Sequence, residues 1–277
     1  MFDLIADLVG GHGVSSLFGE ERKQIILQLV NSNGKVRTNE LVEKLQVSSE
    51  SIRRYLEDLE AEKKLKRVYG GAVKLNMERS EPSHLSREVM RADEKKRIGR
   101  VAAELVQDND TIVIDEGTTP LQMIGFLSTK KDLTILTSSI TALNLLIDYQ
   151  NSGALKAEVY FLGGKVNAKH HRVGGAFAEK MMKSFYVDKA FLSMDGLLLH
   201  KGLTCYDPER AELAKRFIEN ANESIVLADH SKIGISTLCK VADLKEVDIV
   251  ISDTPAPEEW DTDLQTKNVT WMVAGEL

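Results

Sequence analysis

Runs of glycine, serine and threonine recur in the C-terminal two thirds of the chain, each placed directly after a strand-like apolar segment. Residues 115–119 (DEGTT) follow one such segment, and residues 137–139 (TSS) end the next. Backbone amides at the start of a helix, together with side-chain hydroxyls, form binding sites for anions. The pattern therefore predicts contacts with an anionic small molecule. A single Gly-Thr-Thr run has an alternative interpretation, an ordinary strand-to-helix turn with a capping residue.

Four further segments have the same character and favour the anion site over the simple turn. They are 163–165 (GGK), 195–196 (DG), 201–204 (KGLT) and 229–232 (DHSK). Their lysines suit a phosphate group, and their acids suit the hydroxyl groups of a sugar. The candidate binding residues for this small molecule are Asp115, Gly117, Thr118, Thr119, Ser138, Gly163, Gly164, Asp195, Lys201, Gly202, Asp229 and Lys232.

The elements that would position these segments alternate between strands and helices. Helices are predicted at 94–106, after Thr119, at 140–150 and at 208–221, and strand-like runs lie at 111–115, 133–137, 158–164, 188–196, 224–229 and 248–253. Strands separated by helical stretches predict an α/β fold with a largely parallel sheet. In such sheets ligands bind at the carboxyl ends of the strands, where the six segments lie.

A second group of candidate residues lies in the N-terminal third, on a short basic helix. Ser48 is suited to cap this helix, and Ile52, Leu56 and Leu59 recur at helical spacing to form one apolar stripe. The opposite side presents serines and arginines, and such a helix suits the major groove of DNA. From residue types alone, the alternative is an amphipathic helix with a solvated charged face.

A small two-stranded ribbon is predicted after this helix, with 65–68 and 72–75 paired across a turn at Gly70-Gly71. Its basic residues are placed for contacts with phosphates. The candidate DNA-binding residues of helix and ribbon are Ser48, Ser49, Ser51, Arg53, Arg54, Lys66, Arg67, Tyr69 and Lys74.

Two more helices are predicted before the basic helix, one over 20–30 and one capped by Thr38. Three short helices followed by a ribbon are the plan of a winged helix-turn-helix. Charge agrees with this interpretation, because residues 19–80 hold 13 Lys and Arg against 10 Asp and Glu, whereas the whole chain has a net charge of −6.

The 277 residues are enough for two domains. We predict an N-terminal extension at 1–18, a DNA-binding domain at 19–76, a linker at 77–93 and an α/β domain at 94–277. The linker is polar and contains Pro82. The absence of a 20-residue apolar run and of a basic N-terminal segment, with only two cysteines, favours a cytoplasmic protein without a membrane span.

The segments ERKQIILQLV, SIRRYLEDLE and KRVYGGAV resemble the DNA-binding domain of the DeoR family (DeoR/GlpR type) of bacterial transcriptional regulators, over about 20–75. The segments DEGTT, LGG, DKAFLSMDG, KGLT and ADHSK resemble the effector domain of the same family, over about 94–255. Two positions depart from the family pattern. Tyr55 replaces the acid that usually follows the two arginines, and Ser138 stands where the family often has asparagine.

The resemblance implies the fold, partners and function. The effector domain should be similar to ribose-5-phosphate isomerase, with 117–119 as the phosphate loop and with Asp229 and Lys232 in the effector-linked ADxSK segment. The chain should be a repressor of a sugar or carbohydrate operon that binds operator DNA as a homo-oligomer, a dimer or tetramer. A phosphorylated sugar or related metabolite should relieve repression. No cofactor and no metal are expected.

A sugar-phosphate isomerase is the alternative function. Enzymes of this fold show Asp-Gly-Ala-Asp followed by a lysine-glycine loop, and here Leu198 replaces the second acid while Lys201 precedes a single glycine. Glu209 or Glu212 remains as a candidate base. Binding without turnover is the favoured interpretation. A protein-interaction module with a vestigial DNA domain is a third possibility, and the pair His170-His171 is expected in an exposed loop rather than at a metal.

Overall fold

The computed structural model describes residues 19–33, 35–62, 64–74 and 81–275, and the chain divides into two compact units, 1–78 and 79–277. The predicted extension at 1–18 lies outside the described residues. Within the described ranges, no helix is both long and apolar enough to cross a lipid bilayer.

The N-terminal unit has the predicted three helices and a three-stranded antiparallel sheet of order β1-β3-β2. Its elements are α1 Gly19–Asn33, β1 Lys35–Arg37, α2 Thr38–Leu45, α3 Ser49–Ala61, β2 Leu65–Val68 and β3 Gly71–Lys74. Ile52, Leu56 and Leu59 of α3 are buried together with Ile26 of α1 and Leu41 of α2. The apolar stripe that the sequence predicts is thus the side of α3 that packs into the core. The unit is a winged helix-turn-helix.

The hairpin of this unit turns one residue earlier than predicted. Val68 pairs with Gly71, so Tyr69 and Gly70 form the turn, and Gly70 has a φ of 80°. Gly71 also pairs with Arg37 of β1, and a Cβ added to Gly71 would lie 2.0 Å from the Val36 carbonyl oxygen. The glycine pair therefore has two causes, a left-handed turn residue and the close approach of a third strand that the sequence did not reveal.

The C-terminal unit contains a seven-stranded sheet of order β15-β14-β12-β9-β4-β5-β6, with every neighbouring pair parallel. Its strands are β4 Thr111–Ile114, β5 Leu133–Thr137, β6 Ala157–Phe161, β9 Val187–Ser193, β12 Ala221–Leu227, β14 Ile249–Ser252 and β15 Thr270–Val273. Val113 of β4 belongs to one apolar core, whereas Ile112 and Ile114 belong to another. Since side chains alternate along a strand, the sheet has a core on each face. This is the predicted parallel α/β domain.

Helices and two small antiparallel sheets complete the C-terminal unit. The helices are α4 His84–Val89, α5 Ala92–Glu104, α6 Ile140–Asn151, α7 Ala176–Met182, α8 Pro208–Glu219 and α9 Asp261–Thr266. A 3-10 helix, Pro120–Phe126, follows β4 where a helix is predicted. The small sheets are the hairpin β7 Lys165–Asn167 with β8 Arg172–Gly174, and β10 Gly196–Leu198, β11 Gly202–Cys205 and β13 Cys239–Ala242.

The segment predicted as a linker, 77–93, is in large part folded into the C-terminal unit. Ser83 caps α4 by accepting a hydrogen bond from the Ser86 amide, and Glu81, His84 and Arg87 are buried. Glu81 accepts hydrogen bonds from Arg172, 91 residues away. The segment looks polar in sequence because its buried face is held by ion pairs with distant residues rather than by an apolar stripe.

Candidate functional site

The loop that follows β4 is the centre of the site, because it lies beside the end of the neighbouring strand β9. The Asp115 carboxylate accepts hydrogen bonds from the amide and the hydroxyl of Ser193, at 3.0 and 3.2 Å. Gly117 approaches the same residue so closely that an added Cβ would lie 2.0 Å from Ser193 Oγ. Glycine is therefore required where the loop passes the end of β9.

A pocket of about 60 Å³ lies against this loop, and we call it the basic pocket. Gly117, Thr118 and Thr119 line it, as does Lys232 from the segment after β12. A volume of this size suits a small group such as a phosphate. The other lining residues are Pro82, Arg87, Met90, Arg91, Lys95, Ser193, Met194, Asp195, Leu227 and Asp229.

Three basic residues of this pocket were missed by the sequence analysis: Arg87, Arg91 and Lys95. They come from α4, from the residue before α5 and from α5, which precede the sheet in the chain. Arg91 has a φ of 54°, unusual for a residue other than glycine, and its Nε lies 3.6 Å from Asp229 Oδ1. Polar residues scattered on one side of a helix carry no spacing signal of their own, so nothing in the sequence marked them as ligands.

Lys95 is buried, and its ammonium donates a hydrogen bond to the Arg87 carbonyl oxygen. Burial lowers the pKa of Lys95 to about 8, against the opposing effect of Asp229. The pKa of Asp229 is lowered, because hydrogen bonds from Ser231 and the charges of Lys232 and Arg91 outweigh the effect of burial. Four basic side chains against two acids, Asp195 and Asp229, give the pocket a positive excess that suits an anion.

A buried ion cluster lies behind the loop and is built on three arginines. Arg210 contacts Glu116 at 2.5 Å and Asp195 at 2.6 Å, and Arg172 contacts Glu116 at 3.0 Å. Glu81 joins the cluster through Arg87 at 3.0 Å and Arg172 at 2.8 Å. Burial raises the pKa of Glu81 and of Asp115. The pKa of Glu116 is lowered to about 2, because the arginines, Arg210 foremost, outweigh burial.

His170 corrects the prediction of an exposed histidine loop. Its side chain is buried, with Nδ1 3.5 Å from Glu81 Oε1, while His171 stacks on His84 at 5.0 Å between ring centroids. Burial, followed by the charge of Arg172, lowers the pKa of His170 to about 4. The prediction was wrong because the burying partner is Glu81, far away in sequence. No group of metal-ligating side chains occurs in the described part of the chain.

The candidate small-molecule residues separate into three groups. Gly117, Thr118, Thr119, Asp195, Asp229 and Lys232 line the basic pocket, whereas Asp115 and Ser138 line a second, larger cavity of about 360 Å³. The remaining four, Gly163, Gly164, Lys201 and Gly202, line neither of these two cavities. Gly164 approaches the Gly174 carbonyl, Lys201 lies in the turn between β10 and β11, and Gly202 begins β11. Similarity of sequence pattern did not separate pocket-lining residues from the residues of turns and strand ends.

The candidate DNA-binding residues lie on α3 and on the hairpin of the N-terminal unit. Ser48 Oγ accepts a hydrogen bond from the Ser51 amide at 3.1 Å, as predicted for the cap. Arg53 and Arg54 are exposed, and so are Lys66 and Tyr69 on the hairpin; Ser48 and Ser49 are exposed as well, and Ser51 is half-buried. The surface of α3 and of the hairpin is therefore rich in basic and hydroxyl groups. The side chain of Lys74 lies outside the described residues.

Two features of this surface modify the prediction. Arg67 is half-buried and paired with Glu57 of α3 at 2.6 Å, so it holds hairpin and helix together in addition to any phosphate contact. Tyr55, at the position where the sequence departs from the family pattern, is buried in the core, and its hydroxyl accepts from Arg22 of α1 at 3.5 Å. The departure therefore affects packing between α3 and α1 rather than the exposed side of α3.

The two units together are those of a DNA-binding regulator with a C-terminal sensor domain. Family models match both of them: the DeoR-like helix-turn-helix domain over residues 22–78, and the DeoR C-terminal sensor domain over residues 90–254. The chain belongs to the DeoR family of helix-turn-helix transcriptional regulators.

Relatives match over nearly the whole chain. The HTH-type transcriptional repressor GlcR of Bacillus subtilis is 32% identical over 260 residues, 94% of this chain and 98% of that protein. The uncharacterized regulator YulB of the same species is 35% identical over 84% of this chain and 88% of that protein. The HTH-type regulator IolR, also of B. subtilis, is 30% identical over 86% and 93%.

Ribose-5-phosphate isomerases are among the solved structures that match the chain. The enzyme of Methanocaldococcus jannaschii is 21% identical and covers 50% of this chain and 53% of that one, with a TM-score of 0.36.

Proposed function

We propose that this protein represses a sugar or carbohydrate operon and that a phosphorylated sugar or related metabolite, bound in the basic pocket, relieves the repression. The observation that carries the proposal is the pocket itself. Gly117, Thr118 and Thr119 of the loop line it together with Lys95 and Lys232. The relative GlcR is named a transcriptional repressor, which supports the sign of the regulation.

Several residues of the basic pocket lie close in sequence to the boundary between the two units. Arg87, Arg91 and Lys95 follow closely after the boundary between the units at 78 and 79. A ligand that contacts these side chains changes the free energy of the segment through which the units are joined. We infer that this segment communicates between ligand and operator, within a dimer or tetramer that places two helix-turn-helix units on a symmetric operator.

Turnover is not part of the proposal, because the acid that matches the isomerase pattern has a structural role. Asp195 Oδ2 accepts hydrogen bonds from Arg210 at 2.6 Å and from the Tyr206 amide at 3.1 Å. One carboxylate oxygen of Asp195 is therefore engaged in holding the loop. Glu209, the candidate base, is exposed and pairs with Lys165 at 3.3 Å.

Ligand binding is tested with a thermal-shift screen of phosphorylated sugars on the full chain. A ligand that binds only the folded state raises the melting temperature. Lys232→Met should abolish the rise, whereas the control Lys215→Met, an exposed lysine of α8, should preserve it. A phosphate ester that raises the melting temperature of both variants equally would mean that the site lies elsewhere. Steady conversion of an aldose phosphate into a ketose phosphate would instead favour the isomerase function.

DNA binding is tested by fluorescence anisotropy with duplexes from the protein's own promoter region. Arg54→Ala should cost about 1–3 kcal/mol and relax the preference for one base pair, if that side chain reads a base edge. Lys66→Ala should weaken binding to all duplexes alike and lower the salt slope by about 1. Failure of the wild-type chain to bind any promoter duplex at low ionic strength would contradict the regulator proposal.

A further inference from the structure

We propose that the larger cavity is a second small-molecule site, separate from the basic pocket, and that it takes an uncharged polyhydroxylated molecule such as an unphosphorylated hexose or a cyclic polyol. We call it the polar cavity. The proposed function does not use this site, so a failure of the present inference would leave the basic pocket as it is.

The first two residues of the 115–119 loop, Asp115 and Glu116, line the polar cavity, whereas the other three line the basic pocket. The polar cavity has a volume of about 360 Å³ and is enclosed by the β7–β8 hairpin, by the start of α8 and by the ends of β4 and β5. The volume is in the lower part of the range of small-molecule sites and accommodates a single sugar ring. None of its lining residues is shared with the basic pocket.

Polar groups with unused hydrogen-bonding capacity line this cavity. Ser138 is 1% exposed, and its hydroxyl has no hydrogen-bond partner among the described residues. Arg172 Nη2 and Glu116 Oε2 are buried and have only ion contacts, at 3.4 Å to Asp207 and 3.5 Å to Arg87. Buried polar groups without partners are rare in folded proteins because each one costs free energy. A ligand with several hydroxyl groups supplies the missing donors and acceptors.

Charge distinguishes this cavity from the basic pocket. Its lining carries three basic residues, Lys165, Arg172 and Arg210, against four carboxylates, Asp115, Glu116, Asp207 and Glu209. The basic residues are already paired: Arg210 and Arg172 with Glu116, and Lys165 with Glu209. Each cation already faces a carboxylate, and the carboxylates outnumber the cations by four to three, so the lining favours a neutral ligand over an anion.

The lining also contains apolar side chains, which suit the carbon-bound hydrogens of a sugar or polyol ring. They are Val166 and Val173 from the hairpin and Leu213 and Ala214 from α8. Polar groups together with aliphatic side chains give both kinds of contact that a neutral ring with hydroxyl groups requires.

The test measures binding of D-glucose, D-fructose, D-galactose and myo-inositol to the full chain by isothermal titration calorimetry. At least one probe should bind saturably, and Ser138→Ala should weaken it roughly fivefold, the effect of one lost hydrogen bond. The melting temperature should not fall in Ser138→Ala, because the variant removes a hydroxyl without a partner. Ala168→Trp, at an exposed position of the lining, should block binding without entering the core.

The control is Lys232→Met in the basic pocket, which should abolish the binding of inorganic phosphate and leave that of the neutral probe unchanged. Simultaneous titration should show phosphate and neutral probe bound together. Three results would each overturn the proposal. The first is that no neutral probe binds saturably, and the second is that the neutral probe and phosphate exclude each other. The third is that Ala168→Trp blocks the binding of phosphate and leaves the binding of the neutral probes intact.

Discussion

Lys95 is the residue of the basic pocket whose charge changes nearest to physiological pH. Its pKa is lowered to about 8 by burial, so it is largely protonated at pH 7 and mostly neutral at pH 9. Binding of an anion needs the protonated form, and we predict that affinity falls as pH rises above 8. Sulfate is the suitable probe, because its charge does not change in this range. Calorimetric titrations at pH 7, 8 and 9 measure the effect.

The effect of rising pH on the stability of the protein is opposite in sign to its effect on anion binding. Because the folded state lowers the pKa of Lys95 from 10.5, it binds fewer protons than the unfolded chain between about pH 8 and 10.5. The contribution of this group to the free energy of unfolding therefore increases with pH in that window.

The control for the binding prediction is Lys95→Arg. This variant keeps its charge up to pH 10, so it should remove the pH dependence of sulfate binding. An unchanged dependence in that variant would assign the effect to another group.

Two glycines among the candidate binding residues, Gly117 and Gly163, allow a direct comparison of a crowded and an open position. A Cβ added to Gly117 would lie 2.0 Å from Ser193 Oγ, whereas a Cβ added to Gly163 would meet nothing within 4 Å. Gly117→Ala should lower the free energy of unfolding by about 1–3 kcal/mol and weaken anion binding, because the loop must move. Gly163→Ala should stay within about 0.5 kcal/mol of wild type. Urea unfolding checks both, and equal effects would mean that the loop adapts without cost.

At the scale of elements, the helix caps separate stability from DNA binding. Ser48 caps α3 in the N-terminal unit and Ser83 caps α4 in the C-terminal unit, with hydrogen bonds of 3.1 and 3.2 Å. Each serine-to-alanine change should cost about 1 kcal/mol of stability. We predict that Ser48→Ala weakens operator binding and that Ser83→Ala does not. Anisotropy titrations below the melting temperature of both variants make the comparison, and equal losses of affinity would show that α3 has no special place in recognition.

Elements with a strong local pattern could be predicted from the sequence. The apolar stripe and the cap located α3, and continuous apolar runs located six of the seven strands of the parallel sheet, all except β15. The three-residue strands β1, β7, β8 and β10 could not be found, because three residues give no periodicity. The segment 81–93 was mistaken for a linker because its buried face is held by ion pairs with residues such as Arg172.

The candidate site, like the fold, could be predicted only where a local sequence pattern marks its residues. The strand-end loops contributed Gly117, Thr118 and Thr119 to the basic pocket, since the carboxyl ends of parallel strands meet at one edge. Lys95 and Arg91 could not be predicted, because they reach the pocket from a helix earlier in the chain and no motif surrounds them. The pattern of polar segments also brought in Lys201, which the structure places in the turn of a small sheet.

At the scale of the whole molecule, the proposal requires a reciprocal coupling between ligand and operator. If a phosphorylated sugar weakens operator binding by some factor, the operator must weaken binding of that sugar by the same factor. We predict equal factors of about 5–150, corresponding to 1–3 kcal/mol. Titration of the most effective sugar phosphate from the thermal-shift screen, with and without operator, measures them. Identical sugar affinity in the two titrations would mean that the basic pocket does not control DNA binding.

Glu81 is the group through which this coupling can be interrupted. It lies three residues after the boundary between the units, and its carboxylate accepts a hydrogen bond from Arg172. Arg87 Nη2 of the basic pocket lies 3.0 Å from Glu81 Oε1. Glu81→Gln keeps the size of the side chain but weakens both ion pairs. Ligand binding should then no longer affect the segment that follows the boundary between the units. The variant should bind both ligand and operator, with a coupling factor close to 1. The control Glu104→Gln changes an exposed acid of α5 and should keep the wild-type factor. Loss of coupling in both variants would mean that global charge, rather than the buried ion cluster, connects the two sites.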